Sequence, residues 1–268
     1  MKKNIIKIAK EVVKIETASL KKLEANIGKS FEQIIKTIIN CKNGKIIISG
    51  VGKSGIIGKK WSATLSSTGT PSFFLDASNA SHGDMGQITS NDILILISLS
   101  GQSEELKNII QYTSRNKNIK LIGVTSKKDS LLYKNADLKF LLPSVKEAGP
   151  GNIVPTSSTT VQVALGDAIA ITCMVYKKFG KLDFKKFHPS GSLSIKLKTV
   201  EDLMLSGKKI PFVNENVSMK DALVSITKKN LGTLVIRNNR NYTTGILTDG
   251  DLKSCLLYTS DAADEYDR

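Results

Sequence analysis

Apolar side chains recur at three- and four-residue spacing over residues 3–25 and 30–40. Ile5, Ile8, Val12 and Ile15 mark the first stretch, and Ile34, Ile35 and Ile38 the second; both predict helices. Ser30, with Gln33 three residues on, is spaced for a capping box. The period then changes. Residues 45–49 read as a short buried strand that runs into Gly50-Val51-Gly52-Lys53-Ser54-Gly55 and a helical stretch to about Ser67. Residues 72–75, 92–98, 120–125 and 138–142 read as four more strands, with a helix over about 104–115. Strands that are apolar on both faces and alternate with helices predict an α/β fold, a doubly wound parallel five-stranded sheet with flanking helices. Residues 156–179 form a long apolar helical pattern whose first turn is rich in Ser and Thr, as a helix start should be.

After residue 195 the texture changes. A short helix is expected over 199–204 and an amphipathic one over 217–228, around Met219, Ala222, Leu223 and Ile226. Strands follow at 233–237 and 244–247, and Thr248-Asp249-Gly250-Asp251-Leu252 opens another helix. This is a second, small α+β unit of β-α-β-β-α order.

The length of 268 residues agrees with two domains, at about 150 residues each. An apolar share of 40% is enough for a packed core. The net charge is +15, but the lysines are spread along the chain. The longest groups are pairs such as Lys127-Lys128, Lys177-Lys178 and Lys185-Lys186, and aromatics are only 6%. Nucleic-acid binders concentrate basic residues on one element or interleave them with aromatics, so no nucleic-acid partner is expected. The charge reads as solvated lysines with a mild attraction for anionic substrates. No run of about 18 apolar residues occurs, so no membrane span is expected. Residues 1–4 lead into a segment broken by Lys7, Lys10 and Glu11, too polar for a signal peptide, and the expected compartment is the cytoplasm. Cys41, Cys173 and Cys255 are scattered and without a C-x-x-C pair, which fits reduced thiols rather than a disulfide framework or zinc site.

Several polar turns carry candidate chemistry. The Gly50–Gly55 turn fails the P-loop spacing, because the required glycine falls at Ile47. It still joins a strand to a helix N-terminus, where backbone N–H groups can face an anion. Ser98-Leu99-Ser100-Gly101-Gln102-Ser103 repeats that arrangement with three hydroxyls, and Ser103 sits at a helix N-cap. Ser157, Ser158 and Thr159 add a third hydroxyl cluster at a helix start. In an open parallel sheet all three would lie beyond the carboxyl ends of the strands, where ligands bind. The two histidines, His82 and His188, sit in polar, turn-like settings, and Glu105 and Glu147 lie beside the expected crevice.

Together these pieces resemble the sugar isomerase (SIS) domain, and more narrowly the bacterial arabinose-5-phosphate isomerases. The matching segments, in order, are 50–55, 66–71, 80–84, 98–103, 146–148, 155–160 and His188-Pro189-x-Gly191. The resemblance implies an SIS domain over 1–195, a linker over 196–207 and a single, truncated CBS motif over 208–257 that ends in residues 245–251. The tail at 258–268 is unlike the family. It also implies an aldose–ketose isomerase acting through an enediolate on D-arabinose 5-phosphate and D-ribulose 5-phosphate. That reaction feeds synthesis of the octulosonate sugar of lipopolysaccharide. Neither a cofactor nor a metal is implied, and the expected assembly is a homotetramer with shared active sites.

Carried over residue by residue, the resemblance assigns Lys53, Glu105, Glu147 and His188 to catalysis. Glu147, with Glu105 second, is the expected C1/C2 proton shuttle; His188 opens the ring and Lys53 stabilises negative charge. Ser98, Ser100, Ser103, Ser157, Ser158 and Thr159 are expected to hold the phosphate, with Ser54, Gly69, Thr70 and His82 near the sugar. Thr248 and Asp249 are the candidate nucleotide contacts of the CBS motif. Three positions depart from the family pattern: Gln102 stands where Glu is frequent and Gly149 where Cys is common. Asp76 stands where relatives can carry a His that takes part in binding inhibitory zinc, so weaker zinc sensitivity is expected. Two other readings compete, an isomerase for a different sugar phosphate and a non-catalytic sugar-phosphate sensor.

Overall fold

Residues 46–50 are buried on both faces, and in the computed structural model they form an inner strand of a parallel sheet. The structure describes residues 4–187 and 198–253. The chain divides into two units, 1–197 and 198–268. In the first unit the strands are β1 (Ile46–Gly50), β2 (Ser72–Phe74), β3 (Ile93–Ile97), β4 (Lys120–Thr125) and β5 (Leu138–Leu141). Their order is β2-β1-β3-β4-β5 and every pairing is parallel, as the sequence pattern predicts. The chain order reverses between β1 and β3, which is the switch point of a doubly wound sheet.

Helices cover both faces. On one lie α1 (Ile5–Asn26), α2 (Lys29–Asn40), α3 (Gly52–Ser67) and α7 (Ser157–Tyr176), which share a core with Ile46, Ile48, Ile95 and Ile97. On the other lie α4 (Ala77–Ala80), α5 (Glu104–Arg115) and α6 (Leu131–Asn135), packed on Ile47, Leu94, Leu96 and Leu121. A short helix, α8 (Lys181–Phe187), follows α7. By length and composition α7 could cross a membrane, but its residues Val161, Leu165, Ile169 and Cys173 belong to the packed core. The expected Ser30 capping box does not form. Helix α2 begins at Lys29, one residue before Ser30, and its N-cap is Gly28, which has no side chain to bond.

Two close approaches set how α3 sits. A Cβ on Gly55 would fall 2.7 Å from the carbonyl oxygen of Gly50, so the start of α3 can lie against the end of β1 only with glycine there. Along the helix, Trp61 is fully buried and donates Nε1–H to the Gln162 carbonyl at 2.9 Å. A Cβ on Gly166 would lie 2.1 Å from that same nitrogen. The indole thus occupies the space that Gly166 leaves empty, and it fixes α3 against α7.

The second unit contains α9 (Val200–Leu203), β6 (Phe212–Asn214), α10 (Met219–Lys229), β7 (Thr233–Arg237), β8 (Thr243–Thr248) and a helix over 249–253, labelled α11. Strand β6 pairs parallel to β7, which pairs antiparallel to β8. Ala222, Ile226, Leu234 and Leu252 form its small core. Ile246 on β8 and Met219 and Val224 on α10 are exposed within this unit. The tail at 258–268 lies outside the described residues.

Candidate active site

The three hydroxyl-bearing turns all lie at the carboxyl edge of the sheet, because each directly follows a strand or opens a helix returning from that edge. Gly52, at φ +58°, turns the chain from β1 into α3 in a conformation that favours glycine. Lys53 then sits exposed in the first turn of α3. Ser54 is half-buried and its hydroxyl bonds to Gln162 Oε1 on α7 at 3.1 Å. The glycines of this turn are thus already explained by tight turning and close packing, without an anion.

After β3, the buried Ser98 hydroxyl accepts the Gly101 amide at 3.1 Å and lies 3.1 Å from the Ser103 hydroxyl. Ser103 is the N-cap of α5, yet its hydroxyl is turned to Ser98 and leaves the helix amides uncapped. Ser100 is exposed on the same turn, and Glu105 is exposed in the first turn of α5. The loop is buttressed from the next strand. The Ser126 amide, at 3.1 Å, and its hydroxyl, at 2.8 Å, both donate to the Leu99 carbonyl, as does Thr125 Oγ1 at 3.2 Å. His82 is exposed in the turn after α4, next to Ser81, whose hydroxyl accepts from Asn108 of α5. Asp76 caps α4, accepting the Ser78 and Asn79 amides at 2.9 and 3.4 Å.

Glu147 is the most enclosed acid of the proposed set, at 8% exposure. Its Oε2 accepts from the Thr156 amide at 2.7 Å, the Thr156 hydroxyl at 3.1 Å and the Ser158 amide at 3.2 Å. Its own amide donates to Asn152, which adopts φ +58° beside Gly151 at φ +72°. Burial pushes the carboxyl pKa up, but the donors at Ser158 and Thr156 outweigh it and hold it below the ordinary glutamate value of 4.5. All three of these bonds fall on Oε2 rather than Oε1. Ser157 and Ser158 are 0% and 2% exposed at the start of α7, and the Thr159 hydroxyl bonds back to the Thr156 carbonyl.

A 440 Å³ cavity opens at this edge between the ends of β3, β4 and β5. Ser100, Ser126, Lys127, Ser144, Glu147 and Asn152 line it, with Leu99, Val145 and Ile153. The hydroxyl loop and the anchored carboxylate therefore share one space. Asn152 and Lys127 are not among the site residues expected from the sequence; the pattern Gly149-Pro150-Gly151-Asn152 after Glu147 is the available signal of a special loop.

Gly69 and Thr70 are not brought to this edge within the chain. Helix α3 is 16 residues, about 24 Å long, and it leads away from the carboxyl edge to the turn that precedes β2. There Thr70 is buried and accepts from Lys177 Nζ at 2.9 Å, and Gly69, at φ +85°, packs under the Phe179 ring. Phe179 in turn lies 5.7 Å from the Phe187 ring of α8, centroid to centroid. His188, the residue after α8, lies outside the described residues.

In the second unit Thr248 bonds to the Asp251 carboxylate through its amide, at 2.9 Å, and its hydroxyl, at 2.7 Å, at the start of α11. The Asp249 amide donates to Gly232. Thr248 is thus engaged in capping a helix. Among the described residues no three His, Cys, Asp or Glu side chains gather as a metal-binding group.

The chain is similar to known proteins over most of its length. The SIS domain family matches residues 38–172. Arabinose 5-phosphate isomerase KdsD of Shigella flexneri is 42% identical over 245 residues, 91% of this chain and 74% of that protein. The protein of the same name from Francisella tularensis is 42% identical over 248 residues, 91% of this chain and 75% of that protein. Among solved structures, an Escherichia coli CFT073 protein in complex with arabinose 5-phosphate is 36% identical with a TM-score of 0.65. The match covers 70% of this chain and 100% of that one.

Proposed function

The chain belongs to the SIS-domain arabinose 5-phosphate isomerase family, and we propose on that ground that it interconverts D-arabinose 5-phosphate and D-ribulose 5-phosphate. The observation that carries the reading is the shared cavity, lined both by Ser100 of the hydroxyl loop and by the anchored Glu147.

An aldose–ketose isomerase takes the proton from C2 of the open-chain aldose, passes through a cis-enediolate and returns a proton to C1. A base moves the carbon proton, and donors at the developing oxyanion stabilise it and relay the O2 hydroxyl proton to O1. Glu147 fits the base. Three donors fix Oε2 and so orient the carboxylate, while Oε1 is left to accept the C2 proton and deliver it to C1. A carboxyl held below its ordinary pKa is ionised, and hence ready, at neutral pH. Glu105 is the second candidate, exposed in the first turn of α5. Lys53, exposed at the start of α3, would stabilise the oxyanion, and His188 would open the ring. Ser98, Ser100, Ser103 and the uncapped amides of α5 suit the phosphate, since helix N-termini favour anions. His82 and Ser54 stand at the same edge.

Gly69 and Thr70 suit a cleft shared between subunits, in which this edge of one copy completes the carboxyl edge of another. Unpartnered apolar surface supports assembly into the expected homotetramer. Ile5, Ile6 and Val13 of α1 are 83%, 67% and 63% exposed, and α7 leaves Val175 and Tyr176 68% and 70% exposed. Helices this apolar are ordinarily covered. The cytoplasm is the compartment that fits a sugar-phosphate substrate.

The test is incubation of the purified protein with arabinose 5-phosphate in deuterated water, followed by NMR. Ribulose 5-phosphate with deuterium incorporated from solvent supports the reading. Tight binding without conversion or exchange overturns it in favour of a sugar-phosphate sensor, and conversion of a different sugar phosphate alone in favour of another isomerase.

A further inference from the structure

Among the described residues, the cavity shared by Ser100 and Glu147 is lined by a single cationic side chain, Lys127, which lies outside every motif segment that carries the family resemblance. Its backbone is held from both sides. The amide donates to Thr125 Oγ1 at 3.3 Å, and the carbonyl accepts the Ser130 hydroxyl at 2.7 Å and the Ser130 amide at 3.3 Å. The same turn braces the hydroxyl loop, through the donors of Thr125 and Ser126 on the Leu99 carbonyl and the Leu132 amide on the Gly101 carbonyl. Lys127 is thus mounted on the buttress of the loop that carries Ser98 and Ser100. Its ammonium has no acidic partner among the described residues. The one acid among the described residues that line the cavity, Glu147, already accepts three hydrogen bonds.

We propose that Lys127 is a specificity-determining residue that selects for the dianionic end of the substrate, reaching across the cavity to a phosphate seated on the Ser98–Ser103 loop. The hydroxyls of that loop recognise phosphate oxygens by geometry, whereas neutral donors discriminate weakly between a phosphate and a hydroxyl-bearing sugar end. A cation adds discrimination by charge, since hydrogen bonds to charged groups are the stronger class. A lysine offers a compact, mobile charge on a flexible stem, suited to following a small substrate in an open cavity. Lys127 and the adjacent Lys128 are both exposed, but Lys128 does not line the cavity, so it provides an internal control with the same charge.

The inference rests on the proposed isomerase reading, and its test separates the two. Lys127→Met, Lys127→Arg and Lys128→Met are compared with the parent protein for turnover of arabinose 5-phosphate and for binding of inorganic phosphate by calorimetry. Lys127→Met is expected to raise KM about tenfold or more with kcat nearly unchanged, and to weaken phosphate binding by a similar factor. Lys127→Arg restores most of both, and Lys128→Met changes neither. The steepness of KM against salt concentration should also fall in Lys127→Met. Unchanged KM and phosphate affinity in Lys127→Met overturn the inference, as do equal losses in Lys128→Met. A parent protein that binds phosphate but turns over no substrate overturns the isomerase reading alone, and the phosphate titration still decides the role of Lys127.

Discussion

Thr156 donates both its amide, at 2.7 Å, and its hydroxyl, at 3.1 Å, to one carboxylate oxygen of Glu147, nine residues upstream. The same hydroxyl accepts the Ala148 amide at 2.8 Å, so the two residues close residues 147–156 into a loop with its ends tied together. Glu147 thereby serves two purposes, capping the start of α7 and presenting an oriented carboxylate to the cavity.

These two purposes separate by substitution. Glu147→Gln keeps an oxygen for the Thr156 and Ser158 amides but cannot accept a proton. Turnover should fall about 10²–10⁴-fold while the melting temperature changes little. Glu147→Ala leaves those amides unpaired as well and should lose a further ~1–3 kcal/mol of stability. Steady-state kinetics and thermal melts of both proteins check this. Near-full turnover by Glu147→Gln and by Glu105→Gln would remove the carboxylate shuttle from the mechanism.

The acid limb of the pH profile follows from the same bonds. The folded Glu147 pKa lies below the ordinary 4.5, since the donors at Ser158 and Thr156 outweigh burial. A depressed folded value contributes stability above the unfolded pKa, and that stability is lost as pH falls through the folded one. Asp92 behaves alike, its burial being outweighed by Lys45 and Thr89. Denaturation midpoints should therefore decline as pH drops below about 4.5. Glu147→Gln should flatten part of that decline. Any loss of activity that begins well above this range belongs to another group.

The packing of α3 on α7 gives a stability prediction. Gly166→Ala would push a methyl to 2.1 Å from Trp61 Nε1, and the indole is held in place by its bond to Gln162. Overpacking of this kind costs about 1–3 kcal/mol. Gly86→Ala is the control, because nothing lies within 4 Å of the added carbon. Thermal melts should show a clear drop for the first and little change for the second.

Zinc response tests the departure at Asp76. Its carboxylate is committed to two amides of α4, and no metal-binding group of three ligands forms among the described residues. Inhibition by zinc should therefore need concentrations far above the nanomolar range. A titration of activity against zinc decides it, and nanomolar inhibition would contradict the expectation.

Much of the sheet is legible in the sequence because β1, β3 and β4 are buried on both faces and so appear as unbroken apolar runs. The gathering of the hydroxyl turns at one edge follows from the alternation of strands and helices. The placement of Gly69 and Thr70 does not. A motif's order along the chain says nothing about which edge its loop reaches, and here the length of α3 decides it. The anchoring of Glu147 is equally hidden, because it depends on a turn at Gly151 and Asn152 that folds distant donors onto one oxygen. The Ser30 cap fails by two residues, because the helix already opens at the Gly28 N-cap.

Thr70 and Glu147 stand at opposite rims of one chain, so under the shared-cleft reading neither rim is useful to its own molecule. Two individually dead proteins, one impaired at Thr70 and the other at Glu147, would then revive each other on being unfolded together and refolded as a mixture. Some assemblies would inherit an intact half from each parent, and the recovered fraction would count them.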